Sequence, residues 1–286
     1  MSAVDDKGLV AEYSESGANL IVTSPSDTGW YENPVRQGIA TTDLVGDFGV
    51  NKEGWDRDSA HEWIYPAGYD FLNSSYTKIM GGTSAAAPVV SGVAALMLEA
   101  NPKLGWRDVQ EILMRSAKKI NPTQPEWIVN RAGLNFHHDF GAGMVDAGAA
   151  VTMARTWRNL PAQQTLSSSE PSLSILIPDN NPVGIPVRQY SFTRPFRVEH
   201  VTVSVGIEHA KRGQLEILLT SPAGTVSRLA ELRPLDTSAN LNWTFMTVRN
   251  WGENALGTWR LSVRDRVTGA TGTLKSTQIT IYGTRL

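Results

Sequence analysis

Gly81-Gly82-Thr83-Ser84-Ala85-Ala86-Ala87-Pro88 is the stretch on which the fold of this chain turns. Glycines allow a tight backbone approach, a hydroxyl stands where a helix begins, and small residues let that helix pack closely against its neighbours. Pro88 near the first turn costs little, because N–H groups there largely lack intrahelical acceptors. A serine at such a helix start has free N–H groups and the positive end of the helix dipole beside it, which suits stabilisation of a developing oxyanion. The residues themselves leave two readings open: Ser84 as a nucleophile, or Ser84 as an ordinary N-cap.

Working outward, the two halves differ in periodicity. Upstream, Leu20-Ile21-Val22 is a short all-apolar run ended by Ser24-Pro25-Ser26, as in a strand buried on both faces. Downstream, Trp106, Val109, Ile112, Leu113 and Ala117 fall at helical spacing behind Gly105, with Asp108 in the first turn; Ala147, Ala150, Val151 and Ala154 do the same behind the N-cap Asp146. A strand with amphipathic helices indicates an α/β domain. From about residue 173 the pattern changes to short segments of period two, at 198–205, 215–220, 243–248, 259–263 and 278–282, separated by Gly and Pro turns. This predicts an antiparallel β-sandwich of the jelly-roll sort. Asn159 to Pro171 is polar and unpatterned. The expected division is therefore 1–157, a linker at 158–172, and a sandwich at 173–286.

The chain has 286 residues, 26 Lys plus Arg against 28 Asp plus Glu, a net charge of −2 and no cysteine. The balance gives no electrostatic reason to expect a nucleic-acid or anionic-membrane partner. Without cysteine there is no disulfide, thiol chemistry or Cys-ligated zinc, and the compartment stays undecided. The start shows no secretion signal, so export would need a signal upstream. The most apolar window, Ala85 to Leu98, contains Pro88, Ser91 and Gly92 and is too short and broken to span a bilayer; it reads as a core helix.

Gly82-Thr83-Ser84-Ala85-Ala86-Ala87-Pro88 resembles the nucleophile motif Gly-Thr-Ser-x-Ala-x-Pro of the subtilisin family. Ala94 to Pro102 and Trp106 to Gln110 resemble the helices after the nucleophile in kexin and related proprotein convertases. Ser2 to Gly8 and Tyr13 to Gly17 are similar to the strand and loop following the oxyanion region. Phe140 to Ala147 resembles the family's closing Gly-x-Gly-x-(Val/Ile)-(Asp/Asn)-Ala segment. The second half resembles the P domain of the same enzymes through His209 to Leu215, Leu219 to Thr225, Arg233 to Asp236, Asn242 to Met246 and Trp251-Gly252-Glu253, with Gln214 where the family often has Asp. The resemblance implies the C-terminal part of an α/β subtilisin-like catalytic domain followed by an all-β jelly-roll P domain. It implies a secreted, periplasmic or cell-surface serine endopeptidase that cuts protein and peptide substrates after basic residues.

In that family Ser84 is the nucleophile, with Gly82 and Thr83 beside the oxyanion and substrate. The triad runs Asp, His, Ser along the chain, so the other two members are expected upstream. None of the five histidines stands in a His-Gly-Thr context, and no Asn-Gly segment offers a side-chain oxyanion donor. His61, His137, His138, His200 and His209 read as surface or structural residues. Glu15, in Tyr13-Ser14-Glu15, matches a carboxylate that helps bind calcium near the S1 pocket, with two further carboxylates expected upstream. Residues 27–78 form an insertion whose Trp30, Tyr31, Trp55, Trp63, Tyr65 and Tyr69 either line a substrate cleft or pack on one another. Two functions remain: a serine endopeptidase completed by a missing upstream half, inactive as these 286 residues alone, or a non-catalytic folding and docking module built around the P domain. The sandwich is expected to fold by itself. The first half is not, since Leu20-Ile21-Val22 and the Ala85 to Leu98 helix lack the strands that should cover them.

Overall fold

The computed structural model describes residues 1–27, 38–51 and 70–286. The insertion's Trp30, Tyr31, Trp55, His61, Trp63, Tyr65 and Tyr69 lie outside these. The chain divides into two compact units, one of Met1–Ser16, Leu20–Trp127 and His137–Arg158, the other of Gly17–Asn19, Ile128–Phe136 and Asn159–Leu286.

In the first unit β1 (Ser2–Val4) pairs in parallel with β2 (Thr23–Pro25). The strand thus forms on the residues expected to terminate it. Parallel pairing asks only for backbone groups, and Pro25 closes the strand where Ser26 N–H takes over, donating to the Val4 carbonyl at 2.7 Å. On the other side of β2, the Thr23 N–H donates to Gly143 and the Thr23 carbonyl accepts from Val145, both at 2.9 Å. Leu20 and Val22, expected to be uncovered, are 8% and 1% exposed. The antiparallel pair β3 (Ile39–Thr42) and β4 (Tyr76–Met80) runs directly into α1 (Thr83–Ala100).

Helix α1 is 18 residues, longer than the window its apolar composition suggests, and by length and composition it could cross a membrane. Its Val93 and Met97 instead pack with Val22, with Ile112 of α2 (Trp106–Ser116), and with Ala150 and Ala154 of α3 (Ala147–Arg155). The opposite face is open, with Leu96 49% and Leu98 42% exposed. The helix is a core element only on one side. The Asp108 carboxylate caps α2 by accepting the Gly105 N–H at 2.8 Å, and it also accepts from the Trp157 indole at 2.9 Å. Asp146 caps α3 through the Ala149 N–H. Trp106, placed on the buried stripe by its spacing, is 59% exposed, because at the first helical position its side chain has no preceding turn to lie against.

The second unit is a two-sheet antiparallel sandwich. Within it, β5 (Ile128–Val129) pairs with β6 (Asn135–Phe136) as a small hairpin. One sheet has the order β13-β10-β15-β7, with β8 also on β15; the other runs β12-β11-β14-β9. The strands are β7 (Gln164–Glu170), β8 (Ile175–Ile177), β9 (Ile185–Phe192), β10 (Phe196–His209), β11 (Leu215–Thr220), β12 (Val226–Ala230), β13 (Leu241–Thr247), β14 (Gly257–Asp265) and β15 (Gly272–Arg285). Alternation is strict where both neighbours are present: Leu215, Ile217 and Leu219 of β11 face inward with Trp259, Leu261 and Val263 of β14. Residues 164–170, expected as linker, instead form strand β7 against β15. Its sequence, Gln-Thr-Leu-Ser-Ser-Ser-Glu, carries one apolar residue, and the pairing rests on backbone hydrogen bonds that hydropathy does not register.

A buried polar cluster joins residues 128–136 to this sandwich. Asn130 Nδ2 donates to the Arg249 and Trp251 carbonyls at 3.0 and 2.9 Å, while its Oδ1 accepts from the Ala132 and Leu134 N–H groups. The buried Glu253 carboxylate accepts from Ser221, Thr225, Asn250 and the Arg131 N–H.

Candidate active site

Helix α1 starts from a turn that only glycine adopts. Gly82 is the N-cap with φ 81° and ψ 168°, and the helix proper begins at Thr83. Ser84 is therefore the second helical residue and not the cap. It is exposed, as is Thr83, while Ala85 and Ala86 are buried. The small residues act as their sequence suggests: Ala86 is fully buried against Ala3 and Ala11 beneath Tyr13, so the first turn lies close on the loop that follows β1. Pro88 sits in the second turn, inside the helix and not in the first turn, and the hydrogen bond it omits is the one to the Ser84 carbonyl.

The Gly82 peptide is held from the end of β2. Ser26 Oγ donates to the Gly82 carbonyl at 2.8 Å, which also receives the Ala85 N–H at 3.0 Å. The Gly82 N–H donates to Asp27 Oδ1 at 3.2 Å. Tyr13 closes the cluster, its hydroxyl 2.5 Å from Asp27 Oδ1 and 2.8 Å from Ser26 Oγ. Burial pushes the Tyr13 phenol above its ordinary value, and the hydrogen bond to the Asp27 carboxylate pushes the same way. Asp27 and Ser26 are 2% and 4% exposed. Sequence reading assigned neither of them a role and placed Asp27 at the edge of the insertion. The available signal was the doubled glycine, since one glycine satisfies the turn.

The histidines outside the insertion hold other contacts. His137 Nε2 lies 2.7 Å from the Pro125 carbonyl, with its ring beside Trp127 and Phe140. His209 pairs with Asp265 at 3.1 Å, both side chains fully buried, and His200 stacks on Tyr282. His138 is buried. None of these contacts is with Ser84.

Glu15 is exposed in the loop after β1, and among the described residues no three His, Asp or Glu side chains come together to hold a metal. The described residues by themselves do not make the calcium site that the resemblance implies; Glu15 offers one carboxylate of such a set.

Residues 1–143 match the model of the subtilase family, and residues 198–281 that of the proprotein convertase P-domain. Protease KEX1 of Kluyveromyces lactis is 33% identical over 99% of this chain and 34% of its own length. Proprotein convertase subtilisin/kexin type 6 of Rattus norvegicus is 40% identical over 95% of this chain and 29% of its own length. The chain thus spans about a third of the curated relatives it matches. A crystal structure of a serine protease of Aeromonas sobria in complex with its chaperone superposes with a TM-score of 0.84 at 24% identity, over 100% of this chain and 57% of that one, which shows the shared fold. With one family model over residues 1–143 and the other over residues 198–281, the chain belongs to the subtilase family, in its kexin-type branch that carries a proprotein convertase P domain.

Proposed function

We propose that this chain is the nucleophile-bearing part of an exported serine endopeptidase of the kexin type, which cuts protein and peptide substrates after basic residues. The observation that carries the reading is the placement of Ser84: exposed, second in a helix, and launched from a glycine-only turn. There the hydroxyl is free to attack a scissile carbonyl, and the Ser84 N–H, which has no intrahelical acceptor, is available to the oxyanion that forms. Gly82 and Thr83 flank the same position. The base and the carboxylate that orients it come from an upstream segment, since the described histidines are engaged elsewhere. The same segment covers the open face of α1 at Leu96 and Leu98. A docking module gives no reason for a turn of this kind.

Calcium at Glu15 would need two more carboxylates from outside the described residues, and no step above passes through it. With a net charge of −2 and α1 packed on one side by α2 and α3, nucleic acid and membrane insertion form no part of the reading.

The test is labelling of the full-length protein with a fluorophosphonate. Ser84→Ala abolishes labelling while the melting temperature stays in place. Labelling that persists at another serine refutes the assignment.

A further inference from the structure

Gly82 needs to be glycine for its backbone conformation; Gly81 does not, and its requirement is space. A Cβ at position 81 would fall between 2.1 and 2.4 Å from the three carboxylate atoms of Asp27. That side chain is buried, and a buried carboxylate is costly unless its oxygens are satisfied. Here Oδ1 accepts both the Gly82 N–H and the Tyr13 hydroxyl, whose single proton goes to this nearer acceptor. With Ser26 on the Gly82 carbonyl, both faces of this glycine are tied to the end of β2. A Gly-only conformation persists when its surroundings over-determine it, and Asp27 with Tyr13 supplies that surrounding.

We propose that Asp27 is a positioning residue for Ser84, acting through the Gly81-Gly82 turn, with Tyr13 holding its carboxylate in place. The inference rests on the peptidase reading above. Asp27 touches neither substrate nor the reacting hydroxyl; it sets the direction in which α1 leaves the turn, and so where the hydroxyl stands. A displacement of about 1 Å at a reacting group costs on the order of 100-fold in rate. The loss is expected chiefly in kcat, because Asp27 is buried and the group it would displace is the reacting hydroxyl.

In the full-length protein, Asp27→Ala is expected to lower kcat and the fluorophosphonate labelling rate by on the order of 100-fold with KM little changed. Tyr13→Phe, which removes one hydroxyl, acts in the same direction by less. Gly81→Ala alone should be strongly impaired, and adding Asp27→Ser, which vacates the space, should restore labelling to the level of Asp27→Ser by itself. That rescue shows that the space at position 81 is what the alanine disturbs, and a lowered kcat at an unchanged melting temperature is the readout a merely structural role would not give. Wild-type protein that is never labelled at Ser84 sinks the peptidase reading and this role with it. A labelled wild type whose Asp27→Ala and Tyr13→Phe variants react at the wild-type rate sinks this role alone. If Asp27→Ala does not fold, Tyr13→Phe and the Gly81→Ala/Asp27→Ser pair decide, and an unchanged kcat in the first or no rescue in the second overturns the proposal.

Discussion

The sandwich unit and the unit that carries Ser84 are both rich in apolar segments, yet they meet the problem of burial differently. Each sheet of the sandwich covers the other, so Trp259, Ile217 and Ile281 are fully buried by residues of the same unit. In the first unit α1 has apolar residues on more than one face and, among the described residues, a packed apolar cluster on one, with Leu96 and Leu98 exposed. An antiparallel sandwich closes with its own strands, whereas a central helix of a parallel α/β domain requires sheet from elsewhere in the chain. The two also differ in how they use buried polar groups. Glu253 and Asn130 knit loops into the sandwich, while Asp27 and Ser26 fix a single turn.

The sharpest way to break this comparison is to separate the units. Residues 159–286 alone should give a cooperative thermal melt and a β-type circular dichroism spectrum, and residues 1–158 alone should aggregate. A cooperative melt from the latter removes the distinction. Within the sandwich, Trp259→Ala should cost about 3 to 5 kcal/mol in denaturant unfolding, the range for emptying an aromatic core site. Asn130→Ala leaves the Arg249 and Trp251 carbonyls without their donor and should cost about 1 to 3 kcal/mol, with faster hydrogen exchange confined to residues 128–136. On α1, Leu98→Glu should change the melt of these 286 residues by no more than about 0.5 kcal/mol, the range for an exposed site. The same substitution in the full-length protein should be severely destabilising if an upstream segment covers that face.

The smallest effect is alkaline. Burial raises the phenols of both Tyr13 and Tyr190, and for Tyr13 the Asp27 carboxylate adds to it. A raised folded-state value means each contributes stability fully below the unfolded value of about 10 and loses it as the pH rises through the folded value. Tyr13→Phe and Tyr190→Phe should each flatten the fall of the melting temperature above about pH 10. Equal slopes in wild type and variants would show that neither phenol is coupled to folding.

Much of this was legible in the residues. The period-two segments at 198–205 and 215–220 became β10 and β11, since alternation is imposed by the pleat itself, and Asp146 caps α3 as its type and place indicate. Strand β7 was hidden because serine-rich edge pairing leaves no hydropathy signal. Strand β2 moved onto Thr23–Pro25 because parallel register with β1 outweighed the local turn residues. At the site, the motif from Gly82 to Pro88 located Ser84, but Asp27 stands 55 positions before Gly82, and nothing in local spacing joins them.

What the sequence by itself determined is whatever depends on neighbours along the chain: the glycine-launched helix, the alternation of the sandwich, the absence of a local His or Asp beside Ser84. What only the tertiary structure decided is whatever depends on packing between distant segments. The Gly81 requirement is invisible until Asp27 fills the space a Cβ needs, and the open face of α1 is invisible until Val93 and Met97 show which side is covered. Backbone and pattern are local properties; space and cover belong to segments far apart in sequence, and only folding brings those together.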